Sequence, residues 1–159
     1  MVDNHNNLYS EFEEIVGDLL KSPEFNKLDI CTHHYGVSRK QHCINVAYYS
    51  FVVCRRLGLD YRAAARAGLL HDLFYYEWQS SGIGFMEHAA LHSRVALENA
   101  AKLTELSELE RDIIINHMWL CGSMWPRHRE SYIVSMADKI CAVWEASSGI
   151  KNRVLSAAG

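Results

Sequence analysis

Apolar residues recur along the chain at helical rather than strand spacing. Leu8, Phe12, Ile15, Val16, Leu19 and Leu20 line one face of a helix predicted over Leu8–Lys21, with acids in its first turns and Ser22-Pro23 at its end. Ser38 can cap a second helix running to about Leu57, and Gly58 is a plausible stop. Asp60 caps a third, alanine-rich helix, Tyr61 to about Leu70, whose small residues permit close packing. Leu73 to Gly84, with its Ser80-Ser81-Gly82 turn, reads as a loop. A fourth helix covers Glu87 to about Leu103. Ser107 with Glu110 makes a capping box for a fifth, ending near Trp119. Cys121 to Arg129, containing Gly122 and Pro126, is a second loop. The last helix spans Glu130 to about Ser147 and is followed by a frayed tail. No segment alternates over strand length, so the fold class is all-α, a single-domain bundle of about six helices over residues 1–159. Its core is expected at about 38–147, with the helix at 8–21 packed on it.

Composition narrows the function classes. The 159 residues are 49% hydrophobic, enough for one core, and the formal net charge of −3 excludes a generally basic nucleic-acid binder. No stable nucleic-acid partner and no membrane partner are therefore expected. The N-terminal residues lack the basic flank and apolar run of a signal peptide. Five cysteines without C-x-x-C spacing fit buried free thiols in a reducing cytoplasm better than disulfides or a thiolate zinc site. Histidine, at nine, is the unusual count.

Several of these histidines sit where a helix should be apolar. His42 is in register with Val46, Tyr49 and Val53, and His117 with Ile113 and Ile114. Asp138 lies between Val134 and Cys141, and His71 follows Ala67 and Gly68 with Asp72 directly after it. A lone buried histidine commonly does no more than donate to a backbone carbonyl. A buried carboxylate, however, costs several kcal/mol unless paired or metal-bound. Imidazoles on comparable faces of other helices point to a shared divalent cation with N/O ligands: Fe, Mn, Co, Ni, Zn or Mg. His88 and His92, four apart, share a face and could both reach it.

The order His42, His71-Asp72, His88/His92, His117, Asp138 resembles the HD-domain superfamily of metal-dependent phosphohydrolases. The strings Ser38-Arg39-Lys40-Gln41-His42, Ala67-Gly68-Leu69-Leu70-His71-Asp72 and Ala137-Asp138-Lys139 carry the likeness over about Arg39 to Glu145. The resemblance implies one metal held by His42, His71, Asp72 and Asp138. In two-metal members the doublet's aspartate bridges and two histidines from intervening helices join. His117 matches the second of these, and His92, with Ala96 four residues on, matches the first better than His88. The run Leu73-Phe74-Tyr75-Tyr76 lacks the Gly-Lys of the cyclic-dinucleotide branch, and the chain lacks that branch's Gly-Tyr-Pro.

The implied activity is hydrolysis of a phosphate ester of a nucleotide or other small phosphorylated metabolite by metal-activated water, with Asp72 as the catalytic carboxylate and one or two ions per chain. A di-iron oxygenase and a non-catalytic nucleotide- or ligand-binding module are the alternatives. Arg39, three before His42, and the Arg127-His128-Arg129 loop offer cations for phosphate oxygens. Lys139 is expected to line the rim or pair with an acid, and Trp119 to stack a base. His33 and His34 are expected near the site, and Glu77 or Glu87 is a candidate general acid. A homodimer is compatible with all of this.

Overall fold

A computed structural model describes residues 2–31, 37–76, 82, 84–121 and 124–157, and among these it contains seven α-helices and no strand. The first, α1 (Val2–Lys21), begins six residues before the expected start. Ser22 then caps a short unforeseen helix, α2 (Pro23–Asn26), by accepting the Phe25 N–H at 3.2 Å, and a 3-10 turn follows at Lys27–Ile30. Proline at the first helical position needs no hydrogen-bond partner for its nitrogen, which is why Ser22-Pro23 starts a helix as readily as it ends one.

The three predicted caps form. Ser38 Oγ accepts from Gln41 N at 3.3 Å to open α3 (Arg39–Arg56), and Gly58 ends it in the left-handed region at φ +67°. Asp60 Oδ1 accepts from Ala63 N at 2.9 Å to open α4 (Tyr61–Leu70). After α5 (Phe85–Leu103), the box at Ser107 and Glu110 closes reciprocally at 3.2 and 2.7 Å to start α6 (Glu108–Asn116). Glu110 also accepts from Arg66 Nε at 2.6 Å, which ties α6 to α4.

Two ends differ from expectation. The fifth predicted helix stops at Asn116, leaving His117 as its C-cap and Trp119 in a separate 3-10 turn, Trp119–Cys121. The last helix, α7 (Arg129–Ala157), continues ten residues past the expected Ser147.

The centre of the molecule is α3 packed on α4 and α7, with α6 against α4 and α7, and α1 laid over α4. Phe12 and Val16 of α1, Val46 and Phe51 of α3, and Ile113 and Ile114 of α6 are all fully buried. At Gly68 the α3 and α4 backbones meet: a Cβ there would lie 3.0 Å from Ala47 Cα, so the alanine-rich pattern does bring these helices close. One register expectation fails. Val46 is buried beside His42, but Tyr49 and Val53 are 46% and 41% exposed and open onto an apolar groove of about 420 Å³ between α3 and α7. The buried companions of His42 further along α3 are Cys43, Ala47 and Ser50. All five cysteines are free thiols, four of them buried. Among the described residues no helix is long and apolar enough to cross a membrane.

Candidate metal centre

Four helices deliver ionisable side chains to one buried place. His42 comes from the first turn of α3, His71 from the C-cap of α4, His117 from the C-cap of α6 and Asp138 from the middle of α7. Because α4 ends at His71, the next residue leaves the helix, and both members of the His71-Asp72 doublet can face inward. The segment after Asp72 is pinned on two sides. Asn99 Nδ2 donates to the Leu73 carbonyl at 2.9 Å and Arg39 Nη1 to the Phe74 carbonyl at 2.7 Å. Two sets, His42–His71–Asp138 and His71–Asp72–His117, have candidate ligand atoms all within 4.8 Å of one another, and every member is buried.

The ring nitrogens show what these sets can hold. His71 Nδ1 donates to the Gly68 carbonyl at 2.7 Å, His92 Nδ1 to the His88 carbonyl at 2.9 Å and His117 Nδ1 to the Ile114 carbonyl at 2.7 Å. A neutral imidazole has one N–H, so each of these rings turns a bare Nε2 lone pair inward. His71 Nε2 is buried without a hydrogen-bond partner, with Asp138 Oδ1 at 3.7 Å and Asp72 Oδ2 at 3.8 Å. His92 Nε2 and His117 Nε2 face each other at 2.9 Å, lone pair to lone pair, and Asp72 Oδ1 is 3.4 and 3.6 Å from them. Asp72 therefore sends Oδ2 toward His71 and Oδ1 toward the His92–His117 pair.

His42 is wedged between acids: Nδ1 donates to Glu145 Oε2 at 2.8 Å, and Nε2 lies 3.1 Å from Asp138 Oδ1. Without a cation this arrangement needs an imidazolium. Burial opposes that charge, but the Asp138 and Glu145 carboxylates outweigh it and hold His42 up at about 10. His71 is also raised, with burial again opposed by Asp72 and Asp138. Asp138 is held well below the usual carboxylate range: burial resists, and the hydrogen bond with His42 together with the nearby His71 imidazole prevails. On the other side burial dominates, and with His117 adding repulsion it takes His92 down to about 4 against the pull of Asp72. An orphaned Nε2, two opposed lone pairs and a carboxylate between them are the donor set of a divalent N/O site. The residues present fit one ion among His42, His71 and Asp138, and the atoms of Asp72, His92 and His117 lie close enough together to fit another.

The remaining expected residues fall elsewhere. His88 stacks on His92 (4.7 Å between centroids), and its Nδ1 faces the Tyr76 hydroxyl at 3.4 Å, so the fourth-helix histidine in reach of Asp72 and His117 is His92. Arg39 is buried in the first turn of α3. It is 2% exposed, with its guanidinium 3.8 Å from the Phe74 ring centroid and Nε buried without a partner. Lys139 pairs with an acid, one of the two arrangements expected, its Nζ lying 3.8 Å from Asp138 Oδ2. Its Nζ donates to the His117 carbonyl at 2.9 Å and to Ser135 Oγ at 2.9 Å, and Ser135 Oγ donates to the same carbonyl. Trp119 packs between Trp125 and Tyr132 at 5.0 and 5.3 Å. The Arg127 side chain is exposed, while its backbone N–H donates to Asp112 Oδ2 at 3.0 Å. Glu87 is exposed in the first turn of α5. His33, His34, Glu77, Ser80, Ser81 and Gly122 lie outside the described residues.

Sequence reasoning missed Glu145 and Asn45. Glu145 lies seven residues after Asp138, two helical turns along the same face of α7, and Asn45 lies three after His42; that spacing was the available signal.

A family model described as HD domain matches residues 39–143. Among curated proteins the chain is 31% identical over 123 residues to Ribonuclease Y of Clostridium perfringens, covering 77% of this chain and 21% of that one. It is 31% identical over 110 residues to Ribonuclease Y of Symbiobacterium thermophilum, covering 68% of this chain and 19% of the relative. The chain thus spans about a fifth of the length of these relatives. No solved structure gives a significant match.

Proposed function

The chain belongs to the HD domain family, and on that premise we propose that it is a metal-dependent phosphohydrolase cleaving a phosphate ester of a nucleotide or another small phosphorylated metabolite. The observation that carries this reading is Asp72, whose Oδ2 lies toward His71 Nε2, itself without a hydrogen-bond partner, and whose Oδ1 lies toward His92 and His117. Divalent ions supply such an enzyme with Lewis acidity and with a water acidic enough to attack phosphorus near neutral pH.

The chain's own residues would do the rest. The backbone carbonyls of Gly68, His88 and Ile114 hold three imidazoles in the tautomer that presents Nε2. Ser135 and Lys139 fix the main chain at His117, which keeps its ring opposite His92. Arg39 anchors the strand of chain that carries Asp72 and adds positive charge behind Phe74. Arg127, with an exposed guanidinium on the connection between α6 and α7, is the residue we assign to a substrate phosphate, and Trp119 and its aromatic neighbours to the adjoining wall.

A second reading, hydrolysis of phosphodiester bonds in RNA, is favoured by the likeness to Ribonuclease Y, and it uses the same centre. The net charge of −3 weighs against an extended nucleic-acid track.

The test is a panel of nucleoside mono-, di- and triphosphates and short single-stranded RNA, each with Mn²⁺, Co²⁺, Ni²⁺, Fe²⁺ and Mg²⁺. Hydrolysis that needs a divalent ion and disappears in Asp72→Ala is the expected outcome. Full activity and full metal content in Asp72→Ala and His71→Ala would overturn the assignment.

A further inference from the structure

The imidazoles of the centre are not backed alike. His71, His92 and His117 each donate Nδ1–H to a carbonyl three or four residues back in the chain. His42 donates instead to a carboxylate, Glu145 Oε2 at 2.8 Å, from a residue 103 positions away. The other oxygen, Glu145 Oε1, accepts from Asn45 Nδ2 at 2.9 Å. The Glu145 side chain is 4% exposed. Asn45 stands one turn beyond His42 on α3, and Glu145 two turns beyond Asp138 on α7, so the same two helices supply both the ligands and the brace behind them.

An anionic acceptor behind an imidazole makes its other nitrogen a stronger donor and fixes the ring plane more tightly than a carbonyl does. The charge count points the same way. The His42–His71–Asp138 side has Asp138, a share of Asp72 and Glu145 behind it. The His92–His117 side has its share of Asp72, and the Arg39 guanidinium, 3.8 Å from the Phe74 ring centroid, rests on the same ring whose centroid is 5.3 Å from the His92 imidazole. Lys139 does not reverse this, because it faces both sides, 3.8 Å from Asp138 Oδ2 and 2.9 Å from the His117 carbonyl.

We infer that Glu145 is the positioning residue that makes the His42–His71–Asp138 side the tighter of two unequal half-sites. The His92–His117 side is then the weaker one, filled second and exchanging first. This inference rests on the metal reading above and adds to it an order of loading and the residue that sets it.

Titrating the metal-free protein with Mn²⁺, with the free ion read by electron paramagnetic resonance, tests it without any substrate. The wild type takes up two ions in two separated phases. Glu145→Gln, which keeps the shape but removes the charge and leaves one amide oxygen where two carboxylate oxygens accept from His42 and Asn45, weakens the first phase about 10- to 100-fold and leaves the second in place. Asn45→Ala leaves the carboxylate but removes its brace, and weakens the same phase by less. It also serves as the reporting variant should Glu145→Gln unfold.

An unchanged first phase in both variants, equal weakening of both phases, or a single wild-type phase for two ions overturns the inference while leaving the metal reading intact. A wild type that binds no ion overturns both together.

Discussion

On one side of Asp72, His42 is pressed between two carboxylates on α7. On the other, His92 and His117 approach each other from α5 and α6, with the second oxygen of Asp72 as the acid within reach. Both sides present imidazoles around buried carboxylates, yet without a cation their charge preferences are opposite. The acids hold a proton on His42 up to about pH 10, whereas burial and a neighbouring imidazole strip His92 down to about pH 4. The lesson is that ligand identity alone does not describe a half-site. What stands behind each ring decides which charge it carries when no cation is present.

The largest expected effect comes from removing what the two sides share. Asp72→Ala should lower both metal occupancy and hydrolysis, the latter by about 10³-fold or more, as measured by metal analysis and phosphate release. Loss of only one ion would show that the carboxylate does not bridge.

Next come variants that remove one side each. Asp138→Asn should abolish the ion at His42 and His71 and leave the protein able to hold one at His92 and His117. His117→Ala should do the reverse. Each is read by equilibrium metal stoichiometry, and identical patterns in the two variants would erase the distinction between the sides.

A smaller effect concerns the metal-free protein at different pH values. His42 has a folded-state pKa of about 10 against an ordinary 6.5, so its contribution to stability is complete below pH 6.5 and lost as pH rises toward 10. His92, lowered to about 4, behaves oppositely: its contribution is complete above 6.5 and lost as pH falls toward 4. Thermal melts should therefore weaken on both limbs, and loading with a divalent ion should flatten the alkaline one. A melting temperature that keeps rising from pH 7 to 10 without metal would contradict the His42 assignment.

The smallest effect is Ser107→Ala. It removes one arm of the capping box of α6 and should cost about 1 kcal/mol, seen as a drop of about 2–4 °C in Tm. It should loosen the His92–His117 side before the other.

How much of this the chain disclosed depended on the range of the forces involved. Ser38, Asp60 and the Ser107/Glu110 box were legible because capping acts over three residues. Asp138 and His117 were legible because their apolar flanks at offsets of three and four are buried. The register of His42 was half legible: Val46 packs inward, but Tyr49 and Val53 face the open groove between α3 and α7. The burial of Arg39 was not legible, since it follows from a segment 35 residues away folding back across the guanidinium. Lys139 likewise acquires its role from a carbonyl at the end of another helix. Glu145 was hidden for a different reason: a charged residue near the end of a helix reads as solvated, and only the neighbouring α3 turns its face into an interior one.

Gly68 joins two of these ranges in one residue. Its carbonyl sets the tautomer of His71, and its missing side chain lets α4 rest against the Ala47 backbone of α3, the helix that bears His42. The span between those two imidazoles is thus gauged by main chain against main chain, a hard stop with almost no give. A single methyl group at this position, outside the ring of donors, would require the two backbones to part by a few tenths of an ångström.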